Sequence, residues 1–356
     1  MTFYNDTCPV VLDKKAFKTL NDYLNKTRPS SVFILVDENT KKYCLEILNH
    51  SLSWETKVIC IKPGERYKTL DICSYIWETL SEKGADRKTV MINLGGGVIT
   101  DIGGFVASCF KRGISFIHIP TSLLGMVDAA IGGKNGVDFN HLKNQIGIIR
   151  NPEMVIIEKD FLKTLPYEHL VSGFAEILKH GLINPESDQY FKDCLVVERL
   201  VHHQILHLID DSVIIKQQIV ENDIEEKGLR KVLNYGHTLG HAIESFRMSR
   251  DHSNQLLHGE AVAIGLVLET YISSKIFGFP NDILKQLKCR VHQSYTLQSF
   301  TQQYIDQIIE LMKYDKKNVS NQVNFVLLKS IGEPVIDCKV EHELIYKAFE
   351  YYHSQD

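Results

Sequence analysis

The sequence predicts an α/β domain over residues 1–165 followed by a mostly α-helical domain over residues 166–356. Three observations carry this expectation. Short β-branched runs alternate with helix-like stretches in the first half, apolar residues recur at helical spacing in the second, and a proline near TLPYEH (164–169) separates the patterns. The runs are SVFILV (31–36), TKVICI (56–61), TVMINL (89–94) and ISFIHI (114–119), which read as buried strands of a doubly wound parallel sheet. After the boundary, HLVSGFAEILKHGLI, RLVHHQILHLIDDSVIIKQQIVEND, VLNYGHTLGHAIESF and GEAVAIGLVLETYISSKIF repeat apolar residues at three- and four-residue steps, the helical period. One late strand is expected at NFVLLKS (324–330).

Composition narrows the function. The chain has 356 residues, 44% hydrophobic and 24% charged, with Lys+Arg 40 against Asp+Glu 44, which excludes disordered and fibrous classes. Near-balanced charge without a Lys/Arg cluster argues against nucleic acid or an anionic membrane as partner, because both need a concentrated positive field. A small molecule is the expected partner. The eight cysteines form no CxxC pair, so neither a disulfide framework nor a cysteine zinc site is indicated. With no leader-like N-terminus and no long apolar run, a cytoplasmic, soluble protein is expected.

The strand TVMINL runs into GGGVITDIGG (95–104). Glycines at a strand end that open a helix let backbone N–H groups approach a phosphate, and the helix N-terminus adds partial positive charge. The same pattern also serves a tight turn with close helix packing. Next, PTSLLGMVDAAIGGKNGVDFNHLKNQIG (120–147) combines glycines with Asp128, Lys134, Asp138, Lys143 and Asn144, as a phosphate- or polyol-binding loop or a solvated connection would.

Three separated pieces offer metal ligands: Glu176 in SGFAEILKHG, His237 and His241 in NYGHTLGHAIE, and His258 in LLHGEAVAIG. Residues four apart share a helix face, so His237 and His241 can present two imidazoles to one ion. All-nitrogen and oxygen ligation suits zinc, with cobalt or manganese as alternatives. Lys179, Lys216, Arg230, Lys316 and Lys317 supply positive charge nearby in sequence, and a buried Lys179 would call for an anionic partner.

These segments, in this order and spacing over roughly residues 30–330, resemble those of the 3-dehydroquinate synthase family, the shikimate-pathway branch of the sugar phosphate cyclases. The resemblance implies a dehydroquinate synthase-like fold: an α/β nucleotide-binding domain, a helical metal-binding domain, an active site in the cleft between them, and a homodimer. It implies zinc ligands Glu176, His237 and His258, with His241 as a catalytic or phosphate-side group instead. Asp128, Lys134, Asn144, Lys179, Lys216, Arg230 and Asn234 match substrate contacts, and Glu226 matches a proposed proton acceptor. Arg112 matches an arginine that reaches the phosphate of the partner subunit's substrate. For NAD the matches are Asp37, Asn39, Glu65, Lys68, Gly96, Gly97, Asp101, Thr121, Ser122 and Lys143. Either Lys316 or Lys317 matches a phosphate-binding lysine. Thr100, Ser122 and Asn135 depart from the family pattern by small polar changes.

The implied reaction converts 3-deoxy-D-arabino-heptulosonate 7-phosphate to 3-dehydroquinate and phosphate. It proceeds by transient oxidation with NAD, phosphate elimination, re-reduction and intramolecular aldol closure, so its net class is a carbon–oxygen lyase. The alternatives are a 2-deoxy-scyllo-inosose or sedoheptulose 7-phosphate cyclase, a metal-dependent polyol dehydrogenase, or a noncatalytic sugar-phosphate sensor on the same scaffold.

Overall fold

The apolar runs of the first half pair side by side along one side of a seven-stranded sheet, TKVICI at its edge, in the computed structural model, which describes residues 2–3, 8–12, 16–140, 142–185, 188–197, 200, 202–250, 256–313 and 323–354. The chain forms two compact units, Met1–Pro166 and Tyr167–Asp356. In the first unit the strands are β1 (Thr2–Phe3), β2 (Val10–Leu12), β3 (Val32–Asp37), β4 (Thr56–Ile61), β5 (Val90–Gly95), β6 (Ser115–Pro120), β7 (Lys134–Phe139), β8 (Leu142–Ile149) and β9 (Val155–Ile157). The main sheet has the order β1-β2-β9-β6-β5-β3-β4 and is parallel except for the β1–β2 pair.

Helices α1 (Ala16–Thr27), α2 (Glu38–Tyr43), α3 (Leu45–Ser51), α4 (Leu70–Glu82) and α5 (Gly97–Cys109) complete this unit. The middle strands are apolar throughout because both their faces are covered: Phe33, Ile34, Leu35, Met91 and Ile92 are all buried. Strand order reverses between β3 and β5, and parallel sheets of this kind bind ligands at such a switch, beyond the strands' carboxyl ends. Asp37 and the Gly95–Gly97 turn stand at those two ends.

The glycine- and lysine-rich stretch after residue 130, expected as a loop, instead forms the antiparallel hairpin β7–β8. Gly136 and Gly147 face each other across it, and a Cβ on Gly147 would lie 2.5 Å from the Asn135 carbonyl oxygen. Glycine therefore serves close backbone approach within a ladder here, a use that composition does not distinguish from a turn.

The second unit is a helical assembly of α6 (Tyr167–Ile183), α7 (Asp188–Val196), α8 (His202–Asn222), α9 (His237–Arg250), α10 (His258–Ile276), α11 (Asn281–Ser294), α12 (Gln302–Met312) and α13 (His342–His353), with a small hairpin of β10 (Phe325–Leu328) and β11 (Pro334–Cys338). Helix α10 is the hub. It packs on α6, α9, α11 and α13, and is buried around most of its circumference, from Ala261 to Leu268 without interruption. Glycines set its distance from two neighbours. A Cβ on Gly259 would fall 1.8 Å from the Ser172 carbonyl of α6, and one on Gly265 would fall 1.9 Å from the carbonyl of Gly236, which precedes α9. Among the described residues no helix is long and apolar enough to cross a membrane.

Candidate functional site

In the first unit, the turn after β5 delivers Gly96 as the residue before α5 and Gly97 as its first residue. The opening N–H groups of a helix have no acceptor within it and point outward, so they are available to an anion. A side chain here would be crowded: a Cβ on Gly96 would lie 3.1 Å from Ser122 Oγ, and one on Gly97 3.3 Å from Ala129 Cβ. Ser122 Oγ accepts from the Gly125 N–H at 3.2 Å, and the Thr121 N–H donates to the Gly95 carbonyl at 3.0 Å, which ties the two strand ends together.

Beside this turn Lys68, 3% exposed, gathers four other sequence-predicted residues. Its Nζ lies 3.0 Å from Glu65, 3.1 Å from Asp101 and 2.7 Å from Asn144 Oδ1, while Lys143 reaches Glu65 at 3.5 Å. Burial opposes the Lys68 charge, but Glu65, Asp101 and Asp138 outweigh it and hold the ammonium above its ordinary pKa. Asn144 adopts φ 52°, and its N–H donates to Asp138 at 2.8 Å. Asp138 thus supports the cluster.

The other predicted residues of this unit lie on further segments. Asp37 caps α2, accepting the Thr40 N–H at 2.8 Å, and Asn39 is exposed on the same helix. Asp128 is half-buried in the single turn Gly125–Ala129, and Lys134 is exposed at the start of β7. Arg112 is exposed in a run of three left-handed residues, Lys111 (φ 48°), Arg112 (φ 67°) and Gly113 (φ 111°).

In the second unit, α6, α9 and α10 bring Glu176, His237, His241 and His258 together. The three imidazoles each offer a nitrogen, and these nitrogens lie within 4.8 Å of one another. Glu176, 0% exposed, is the group they share with α6: its Oε1 is 3.3 Å from His237 Nε2 and 3.5 Å from His258 Nε2. Both rings are anchored from behind. His237 Nδ1 donates to the Tyr235 carbonyl at 3.0 Å, and His258 Nδ1 to Glu244 Oε2 at 3.1 Å, since neither acceptor carries a proton. Each Nε2 is therefore left to hold a proton or a cation in front of one carboxylate.

The spacing fits a cation. Two donors bonded to one zinc ion at about 2.0–2.2 Å with a tetrahedral angle between them lie about 3.3–3.6 Å apart. Glu176 Oε2 is taken by the Lys179 ammonium, while Oε1, which faces the two imidazoles, accepts no well-aligned hydrogen bond among the described residues, as a buried oxygen suited to a metal would not. Although burial opposes its charge, the Lys179 ammonium paired with it and the two imidazoles hold Glu176 well below the usual carboxylate range. Burial likewise works against a charge on His258, but Glu244 and Glu176 hold it up at about 9. A proton and a cation compete for that nitrogen, so loading releases the proton.

The EKGLR segment is organised by Asp223, whose carboxylate accepts from the N–H groups of Lys227, Gly228 and Arg230 at 3.0, 2.7 and 3.0 Å. The Arg230 guanidinium is buried and donates to the Ile224 carbonyl at 2.6 Å. Glu226, at φ 59°, accepts from Asn234 Nδ2 at 2.9 Å. Lys216 is buried on α8. Lys316 and Lys317 lie outside the described residues.

Sequence reasoning missed two carboxylates that hold this site. Glu244 anchors His258, and Glu269, 0% exposed, accepts from the Gly236 and Leu239 N–H groups at 2.7 and 3.0 Å, fixing the start of α9 where His237 sits. For Glu269 the available signal was an acid inside a nearly continuous apolar helix, which is costly unless something binds it.

Comparisons with known proteins identify the family. Residues 58–172 match the family described as 3-dehydroquinate synthase N-terminal, and residues 173–318 the family described as 3-dehydroquinate synthase C-terminal. The 3-dehydroquinate synthase of Parabacteroides distasonis is 39% identical over 344 residues, covering 96% of this chain and 97% of that one. A solved 2-epi-5-epi-valiolone synthase from Streptomyces hygroscopicus, with NAD+ and Zn2+ bound, superposes with TM-score 0.84 at 25% identity, covering 100% of this chain and 99% of that one. A solved 2-deoxy-scyllo-inosose synthase, complexed with carbaglucose-6-phosphate, NAD+ and Co2+, shares the fold with TM-score 0.85 at 23% identity, over 99% of this chain and 100% of that one. With both halves matched and a relative this similar along nearly its whole length, the chain belongs to the 3-dehydroquinate synthase family.

Proposed function

We propose that the chain converts 3-deoxy-D-arabino-heptulosonate 7-phosphate to 3-dehydroquinate and inorganic phosphate. In this reading it is a cytoplasmic homodimer that uses NAD and a divalent cation, zinc first and cobalt as a substitute. The observation that carries it is the pair of back-anchored imidazoles whose Nε2 atoms meet one buried carboxylate at the edge length of a zinc tetrahedron. Solved structures of the same fold hold NAD+ with Zn2+ or Co2+, which supports the same cofactors here. All eight cysteines are free, in keeping with a reducing compartment.

When bound, a nicotinamide takes up and returns a hydride, and a divalent cation acts as a Lewis acid on hydroxyl and ketone oxygens. Glu176, His237 and His258 hold the cation. Gly96 and Gly97 present the helix N-terminus to the dinucleotide phosphates, with Asp37, Asn39, Thr121 and Ser122 along the strand ends and Glu65, Lys68, Asp101 and Lys143 in the charged cluster beside them. Lys134, Asn144 and His241 bind the substrate phosphate, together with Lys316 or Lys317. Arg112 serves the phosphate of the partner subunit's substrate. Lys216 and Arg230 clamp the carboxylate, the guanidinium as a fork. Asp128, Lys179 and Asn234 contact the substrate hydroxyls, and Glu226 accepts a proton, Asn234 holding its carboxylate in place. Since the nicotinamide ends as it began, the net reaction is a carbon–oxygen lyase reaction.

The test is to incubate the purified chain with the heptulosonate phosphate, NAD+ and zinc, following phosphate and nicotinamide absorbance together. Phosphate release without net NADH is expected. Steady NADH accumulation would make the chain a polyol dehydrogenase. Phosphate release from sedoheptulose 7-phosphate alone would move it to another cyclase branch, and binding without release would make it a sensor.

A further inference from the structure

His258 is the first residue of α10, and at that position nothing in the helix itself fixes its ring. Its side chain is 25% exposed, against 9% for His237, so packing constrains it less. His237 is oriented by a backbone carbonyl, which no substitution removes. His258 is oriented by a side chain. Glu244 is buried and places Oε2 3.1 Å from His258 Nδ1, the ring nitrogen other than the one that looks at Glu176. It stands three residues beyond His241 and seven beyond His237 on α9, so the helical period stacks all three on one face. One helix thus carries two imidazoles and the acid that aims a third.

We propose that Glu244 is a positioning residue for the cation site, holding the His258 ring by a charge-assisted hydrogen bond so that Nε2 faces Glu176. This rests on the metal reading above. A carboxylate behind a ligating imidazole fixes its tautomer and orientation and strengthens it as a donor, and losing one costs about 10–100-fold in metal affinity. Glu244 touches neither the cation nor the substrate in this scheme and acts through the ring.

The test is Co2+ binding to the metal-free full-length chain, read by chelator competition and by the visible absorption of the bound ion, for the parent, H258A, E244A and E244Q. For E244A the expected result is affinity weaker by about 10–100-fold with an altered absorption band. E244Q, whose amide oxygen still accepts from Nδ1 but carries no charge, falls between E244A and the parent. Circular dichroism of the metal-free proteins monitors folding, and E244Q, the closest in shape, decides the matter if E244A does not fold. Parent-like affinity and spectrum in E244Q or in folded E244A would overturn the proposal while leaving the metal reading intact. Failure of the parent itself to bind Co2+, or undiminished binding in H258A, would overturn that reading and Glu244's role with it.

Discussion

The two units build their sites from different materials. In the first, the anion-facing turn is backbone: Gly96 and Gly97 clear space and the start of α5 supplies N–H groups. In the second, the cation-facing cluster is side chain: one carboxylate and three imidazoles drawn from three helices, with Glu244 and Glu269 behind them. A backbone site needs only that nothing intrude, whereas a side-chain site needs every ring held at the correct angle. The first unit's charges, gathered at Lys68, stand beside its turn, whereas in the second the buried charges are the cluster itself.

Removing a ligand gives the largest effect. His237→Ala or His258→Ala is expected to lose the cation and, because a Lewis acid contributes several kcal/mol to such a transition state, to lower kcat by about a thousandfold or more. The metal content of the purified variants, measured beside their rates, checks this; full activity in a metal-free variant would erase the distinction between the units.

Glycine substitutions come next and sharpen it. Gly259→Ala drives a Cβ to 1.8 Å from a backbone carbonyl of α6, so α10 must shift, at a cost of about 3 kcal/mol, and the cation must loosen with it. Gly104→Ala meets Asn135 Oδ1 at 1.7 Å, a side-chain atom, and is expected to cost about 1–3 kcal/mol while leaving cation affinity alone. Urea unfolding and Co2+ titration of both variants separate the two outcomes, and equal loss of cation affinity would contradict the contrast.

The last effect is a pH slope, modest over any single pH unit. Burial lowers His118 to about 3, a hydrogen bond with Asn135 opposing, and its Nδ1 accepts from Asn93 Nδ2 at 3.1 Å, as a neutral ring does. Between that value and about 6.5 the unfolded chain binds a proton that the folded chain refuses. Stability therefore falls as pH is lowered through this window, by up to about 1.4 kcal/mol per pH unit. Replacing His118 with Gln should flatten the unfolding free energy against pH between 6 and 4; an unchanged slope would show that other groups govern it.

The same contrast explains what was legible in the sequence. The four strands of the first half could be located from their apolar runs, although TKVICI, expected to be buried, is a half-buried edge strand because nothing pairs beyond it in the sheet, and the glycine run stood out because glycine suits a backbone site. Helical spacing brings His237 and His241 to one face, but it carries no information about which side chain stands behind a ring, so it does not single out Glu244 or Glu269. The β7–β8 hairpin was hidden for a different reason. Its alternation is diluted by Gly136, Gly147 and paired lysines, so polarity suggested a loop where the backbone forms a ladder. The Lys68 cluster joins residues from four separate segments, and nothing in their local patterns announces the meeting.

The glycines of α10 carry one more consequence. Since Gly259 and Gly265 rest against main-chain oxygens of Ser172 and Gly236, the aperture that Glu176, His237 and His258 frame is calibrated by main-chain bulk. Exchanging apolar side chains elsewhere in the unit would leave that gauge untouched. An engineer wishing to widen the space between these three side chains would have to re-space the helices at these two contacts before altering any of the three.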